Sequence, residues 1–169
     1  AVQIKTLRTA CLRLGNKRVL VLAQEALLRD LFAVGSGPVG RLVDSLWRHV
    51  LVKANAAREI AARVGSRQPD EDQVAAMLAD LGELALLRLC ADQQRRTRGW
   101  DDPRFVAALG DEVASAHEEV GGLLLDAWKM APELVQLARA HHAPPRGRAV
   151  QEQEQLRRVV LAAWAGACR

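Results

Sequence analysis

Four histidines, His49, His117, His141 and His142, together with Asp80, are the residues of this 169-residue chain whose types and setting could do chemistry. Imidazole is the commonest side-chain metal ligand, and helices packed side by side can converge such ligands on one point. Asp80 stands inside the apolar stretch Met77-Leu78-Ala79-Asp80-Leu81-Gly82. A carboxylate among such neighbours is costly to bury unless something pairs with it, and a protonated histidine, a metal or a helix N-terminus would serve. Spacing alone favours four histidines that are partly exposed or hydrogen-bonded and hold no ligand. Other chemistry is thin. Ser36 and Ser45 lie close to His49 in sequence but have no third group to orient a Ser–His pair. Gly35-x-Gly37-x-x-Gly40 has the letters of a phosphate loop, yet it follows a predicted helix rather than a strand and reads as a turn.

The elements that must position these residues are helical throughout. Apolar residues recur at intervals of three and four, and no stretch alternates like a half-buried strand. Thr6 can cap a short helix carrying Leu7, Ala10, Cys11 and Leu14 that stops at Gly15. A second pattern, 17–32, carries Val19, Leu20, Leu22, Leu27, Leu28 and Leu31. Pro38 is placed to open a helix that runs to about Val64. After a turn at 65–69, Asp70 can cap one helix holding Val74, Met77, Leu78, Leu81, Leu84 and Leu87. The polar stretch 92–102, with Arg95, Arg96 and Arg98, reads as a solvated connection, or as a site for an acidic partner or a phosphate. Helices are expected at about 111–130 and 132–142. Beyond a Pro144-Pro145 break, a last amphipathic helix is expected at 149–165. Trp47, Trp128 and Trp164 fall on apolar positions, and Trp100 lies in the polar connection.

Composition bounds the reading. Hydrophobic residues are 50% and charged residues 26%, the balance of an ordinary globular domain and not of a disordered tail. The chain is long enough to bury a core without disulfides. No apolar run reaches a membrane span, and no signal peptide opens the sequence. Cys11, Cys90 and Cys168 are widely spaced and odd in number, so they read as free thiols of a reducing cytoplasm. The 24 basic against 20 acidic residues give +4, but the basic residues are mostly Arg in an Ala-rich chain, as GC-rich bacterial codon usage produces. Aromatics are 4%, with no Tyr, which argues against a base-stacking nucleic-acid surface.

Five segments, in order, carry a resemblance. They are Thr6 to Gly15; Leu46-Trp47-Arg48-His49; Ala76-Met77-Leu78-Ala79-Asp80-Leu81-Gly82-Glu83-Leu84-Ala85-Leu86; His117 to Trp128, with Gly121, Leu124 and Trp128 at spaced positions; and Pro132-Glu133-Leu134, followed by Ala138 to His142 and Pro144. Together they resemble the HDOD domains, bacterial signalling modules related to the HD phosphohydrolases and the HD-GYP cyclic di-GMP phosphodiesterases. The family patterns they look like are an Ala then Leu-Gly helix, Leu-Trp-x-His, Gly-Leu-Leu-His-Asp-Ile-Gly-x-Leu-x-Leu, His-x-x-x-Gly-x-x-Leu-x-x-x-Trp and Pro-x-x-apolar…His-His-x-Pro.

The resemblance implies an all-α bundle of about seven helices, one domain over 1–169 corresponding to the C-terminal part of a full HDOD domain. The family's further helices lie upstream of Ala1, and their loss would leave apolar faces exposed for a homodimer or a partner. His49, Asp80, His117, His141 and His142 stand at matching positions, and the resemblance implies either a vestigial metal site or a polar network in the bundle core. The family's His-Asp doublet is Ala79-Asp80 here, and no Asp follows Asp126, so two ligands of a hydrolytic centre are gone. The expectation is a non-catalytic, cytoplasmic signalling module with a protein partner, no catalytic residues and no cofactor beyond a weakly held divalent metal or a nucleotide ligand. The alternatives are a metal-dependent phosphohydrolase acting on a nucleotide or cyclic dinucleotide and, less favoured, a nucleic-acid binder.

Overall fold

The computed structural model describes residues 4–94 and 103–142. Among these the chain is all-α: α1 (Leu7–Leu14), α2 (Asn16–Phe32), α3 (Pro38–Arg63), α4 (Pro69–Ala79), α5 (Leu81–Gln94), α6 (Pro103–Ala127) and α7 (Pro132–Ala140). Contacts divide the chain into a unit of residues 1–31 and a unit of residues 32–169. The expected helix at 149–165, Arg95, Arg96 and Arg98, Trp100, Pro144, Trp164 and Cys168 lie outside the described residues.

In the first unit Thr6 caps α1 as its sequence suggests, its Oγ1 accepting from Thr9 N–H at 3.2 Å. Gly15 ends the helix at φ 78°, a left-handed value that glycine takes without strain. No residue of α1 is buried, and Leu7, Leu12 and Leu14 are exposed. On α2 the buried positions are Val21, Leu28 and Phe32, spaced by seven and four on one stripe, whereas Leu20, Leu22, Leu27 and Leu31 are exposed. The expected inward face was therefore too broad. A helix with apolar residues on two faces has a period that fits either, and packing selects one.

In the second unit Pro38 occupies the first turn of α3 after Gly37. The buried stripe of α3 is Val39, Val43, Trp47, Val50, Ala54, Ala57 and Ala61, stepping by three and four. Its C-terminal half is alanine, and so is the facing side of α4: Ala57 and Ala61 pack with Ala75, Ala76, Ala79 and Leu137 of α7. Small side chains let the two helix backbones approach closely. Asp70 is not the cap of α4. The helix starts at Pro69, and Asp70 lies in its first turn, where the carboxylate accepts from Arg58 Nε at 2.9 Å.

Three further boundaries differ from the sequence reading. The single helix expected from Asp70 is two, broken at Asp80 (φ −97°, ψ 10°), which ends α4 while its carbonyl accepts from Glu83 N–H at 3.1 Å. The helix expected from Asp111 begins eight residues earlier, at Pro103, a residue type favoured at a helix start. That helix stops at Ala127 rather than Met130 because Lys129 turns to φ 55° and Met130 N–H reaches back to Leu125 O at 3.0 Å. Trp128, expected in the core, is 40% exposed beside this turn; Trp47 is buried as expected.

Gly82 opens α5 where it crosses α6. A Cβ there would overlap His117 O and sit 2.7 Å from Gly121 N. The backbone contact is thus possible only without a side chain, and it fixes the height of His117 beside Asp80. Gly82→Ala is expected to destabilise the fold by about 1–3 kcal/mol, the usual cost of overpacking. Urea unfolding of the two proteins checks this, and an unchanged midpoint would contradict it.

Candidate functional site

Four of the five residues singled out from sequence meet inside the second unit. Asp80 comes from the α4–α5 break, His117 from α6, and His141 and His142 from the end of α7; one ligand-type atom from each lies within 4.8 Å of the others. Asp80, His117 and His141 are buried, and His142 is the most exposed of the four. The fifth, His49, is half-buried on α3 and is not part of this group. Its charge is felt at Glu83, one turn from the cluster.

Hydrogen bonding fixes how the rings face. His117 Nδ1 lies 2.7 Å from Ala114 O and His141 Nδ1 lies 3.0 Å from Ala138 O. A carbonyl oxygen only accepts, so each Nδ1 carries the proton and donates it, and the Nε2 of each neutral ring is bare. These bare nitrogens converge: His117 Nε2 is 3.3 Å from His141 Nε2 and 3.1 Å from His142 Nε2. His141 Nε2 is also 2.9 Å from Asp80 Oδ1. Glu118 holds the end of α7, its Oε1 accepting from His142 N–H at 3.0 Å and standing 3.7 Å from His141 Nδ1. Glu83 Oε1 is 4.0 Å from His117 Nδ1.

Burial governs the ionisation of the rings. Loss of water lowers the pKa of His117 and of His141, against the raising effect of their backbone hydrogen bonds. His142 falls to about 4, through desolvation first and then the charges of His141 and His117. Desolvation raises Glu83, opposed by the nearby charges of Lys53, His141 and His49.

The residue that sequence reasoning missed is Lys53. It lies on the buried face of α3, one turn after His49, with 0% exposure. Its ammonium pairs with Asp80 Oδ2. The signal was present in the sequence, since residue 53 falls on the same three-and-four stripe as Val50, Ala54 and Ala57, where a lysine is out of place.

A family model for the HDOD domain matches residues 1–144. The chain belongs to the HDOD family. No curated protein and no solved structure matches it. Family membership and the all-α fold agree with the resemblance read from the five segments, and the HDOD family is related to the HD enzymes.

The metal that HD relatives imply can be tested against this HDOD domain's donors. A tetrahedral ion with bonds of about 2.0–2.1 Å spaces its ligand atoms by roughly 3.3 Å. The Nε2 of His117 stands at about that spacing from those of His141 and His142, and the Nδ1 of His117 and of His141 is tied to a carbonyl, the usual outer-shell pattern of metal-binding histidine. The carboxylate does not match. Asp80 Oδ2 is taken by an ammonium, and Ala79, in the place of the doublet's histidine, is part of the alanine seam between α3 and α4. The donors therefore do not fit a two-metal hydrolytic centre, and no hydrolytic step follows from them.

The three histidines make the fold acid-labile. Their pKa values are lowered in the folded state, so below the unfolded value of about 6.5 the unfolded chain binds protons that the folded chain resists. Stability is full above that pH and falls progressively towards pH of about 4, the value of His142. Urea midpoints measured from neutral pH down to that point should decline, and His142→Gln should flatten the decline. A midpoint constant over this window would contradict the assignment.

Proposed function

We propose that this HDOD domain is a non-catalytic regulatory module of bacterial cytoplasmic signal transduction, working through protein–protein contacts, with the HD metal site degenerate. The observation that carries the reading is the Lys53–Asp80 pair. The carboxylate best placed to hold an ion and position a water is engaged by a buried ammonium. A divalent ion on the three imidazoles would supply Lewis-acid polarisation, and the residue set supports at most one such ion, weakly held. What this chain's residues do at the cluster is tie elements together: Lys53 and Asp80 join α3 to the α4–α5 break, and Glu118 of α6 holds the end of α7 through His142 N–H.

A further observation supports contact-based work. Unit 1 exposes Leu7, Leu12, Leu20 and Leu27, an apolar display of the kind that marks a binding surface for a second copy or a protein partner. No helix among the described residues is long and apolar enough to cross a membrane.

The rival is a metal-dependent phosphohydrolase acting on a nucleotide or cyclic dinucleotide. Untagged protein, with and without added Mn²⁺, Fe²⁺ or Zn²⁺, is expected to show no hydrolysis of cyclic dinucleotides above buffer. His117→Ala is expected to change stability alone. Turnover that disappears in His117→Ala would reject the regulatory reading. Light scattering tests the contact surface, and a strictly monomeric protein that captures no partner would count against it. Ala79→His, which restores the doublet by type, is expected to cost about 1–3 kcal/mol through overpacking of the alanine seam, measured by the shift in urea midpoint.

A further inference from the structure

A lysine is almost never fully buried unless it is paired, and Lys53 is fully buried on a helix stripe otherwise made of Val, Trp and Ala. Its partner Asp80 is buried as well, and the two carboxylate oxygens have different neighbours. Oδ2 takes the Lys53 ammonium, and Oδ1 faces His141 Nε2 at 2.9 Å. Behind His141 stand the Nε2 atoms of His117 and His142. We infer that the Lys53 ammonium is the resident cation of this cluster, a covalently tethered counter-ion that holds Asp80 and keeps divalent cations from binding tightly to the three imidazoles.

Charge arithmetic supports the assignment. On the Nε2 side, Asp80 and Lys53 sum to zero and the rings are neutral, so a dication would enter a site with no net negative charge and with an ammonium on the same carboxylate. Glu83 and Glu118 face the Nδ1 sides of His117 and His141, away from that point. The influence of Lys53 reaches all three rings, whose protonation it disfavours as it would disfavour any other cation there. Unlike a metal ion, this counter-ion cannot dissociate or be chelated. The cluster then keeps its geometry whatever the metal supply, which suits a regulatory module. The inference rests on the regulatory reading for its meaning, though its test does not.

The test is calorimetric titration of Zn²⁺ and of Mn²⁺ into untagged wild-type chain, Lys53→Met and the double variant Lys53→Met/Asp80→Asn, with thermal unfolding of each. Wild type is expected to bind weakly and to gain little thermal stability from metal. Lys53→Met leaves Asp80 without its ammonium; it should be destabilised alone, bind metal roughly tenfold or more tightly than wild type, and regain thermal stability on adding it. The double variant, a neutral pair of similar size, should fold without metal and lose the gain. Binding by wild type as tight as by folded Lys53→Met overturns the inference. So does failure of Lys53→Met to gain affinity or to be rescued by metal, and so does a double variant that cannot fold. Hydrolytic turnover by wild type would instead reject the regulatory reading and leave the affinity comparison to decide the role of Lys53.

Discussion

Asp80 is a carboxylate inside a helical bundle, and the second unit is arranged around its neutralisation. An ion taken from water into the interior loses several kcal/mol of solvation, and only good geometry with further hydrogen bonds returns it. Here Oδ2 is answered by Lys53 of α3, and Oδ1 lies 2.9 Å from His141 Nε2 at the end of α7. Asp80 itself is the break between α4 and α5. One side chain therefore ties together the elements that enclose it. Removing Lys53 would leave a buried charge unanswered.

The apolar part of the structure brings the polar groups within reach. Alanines on facing sides of α3 and α4 bring those helices close, and the bare backbone at Gly82 brings α5 against α6 beside His117. Both approaches depend on side chains that are small or absent. Ala79 contributes a methyl group to the seam where the family's doublet has an imidazole, and the ammonium of Lys53 answers the charge that remains.

Much of this was legible in the chain. The all-α class, Thr6 and Gly15 as the ends of α1, Pro38 as the start of α3 and the burial of Trp47 follow from local chemistry and helical period. Asp80 and three of the four histidines were recognisable as a set because their types are rare and their order matched a family. His49, equally rare, did not join the set, because it lies on the half-exposed side of α3 while the next turn sends Lys53 inward.

The sequence by itself determined that helices form, roughly where they begin and which residues could act as ligands, since capping, proline geometry and periodicity are local properties. Which stripe of α2 is buried, that α4 and α5 part at Asp80, and that a lysine 27 residues before the carboxylate is its partner emerge only on packing. Those outcomes depend on distances between residues far apart in the chain. A pairing of buried charges is fixed by helix packing and desolvation, and neither is written in the spacing of one segment.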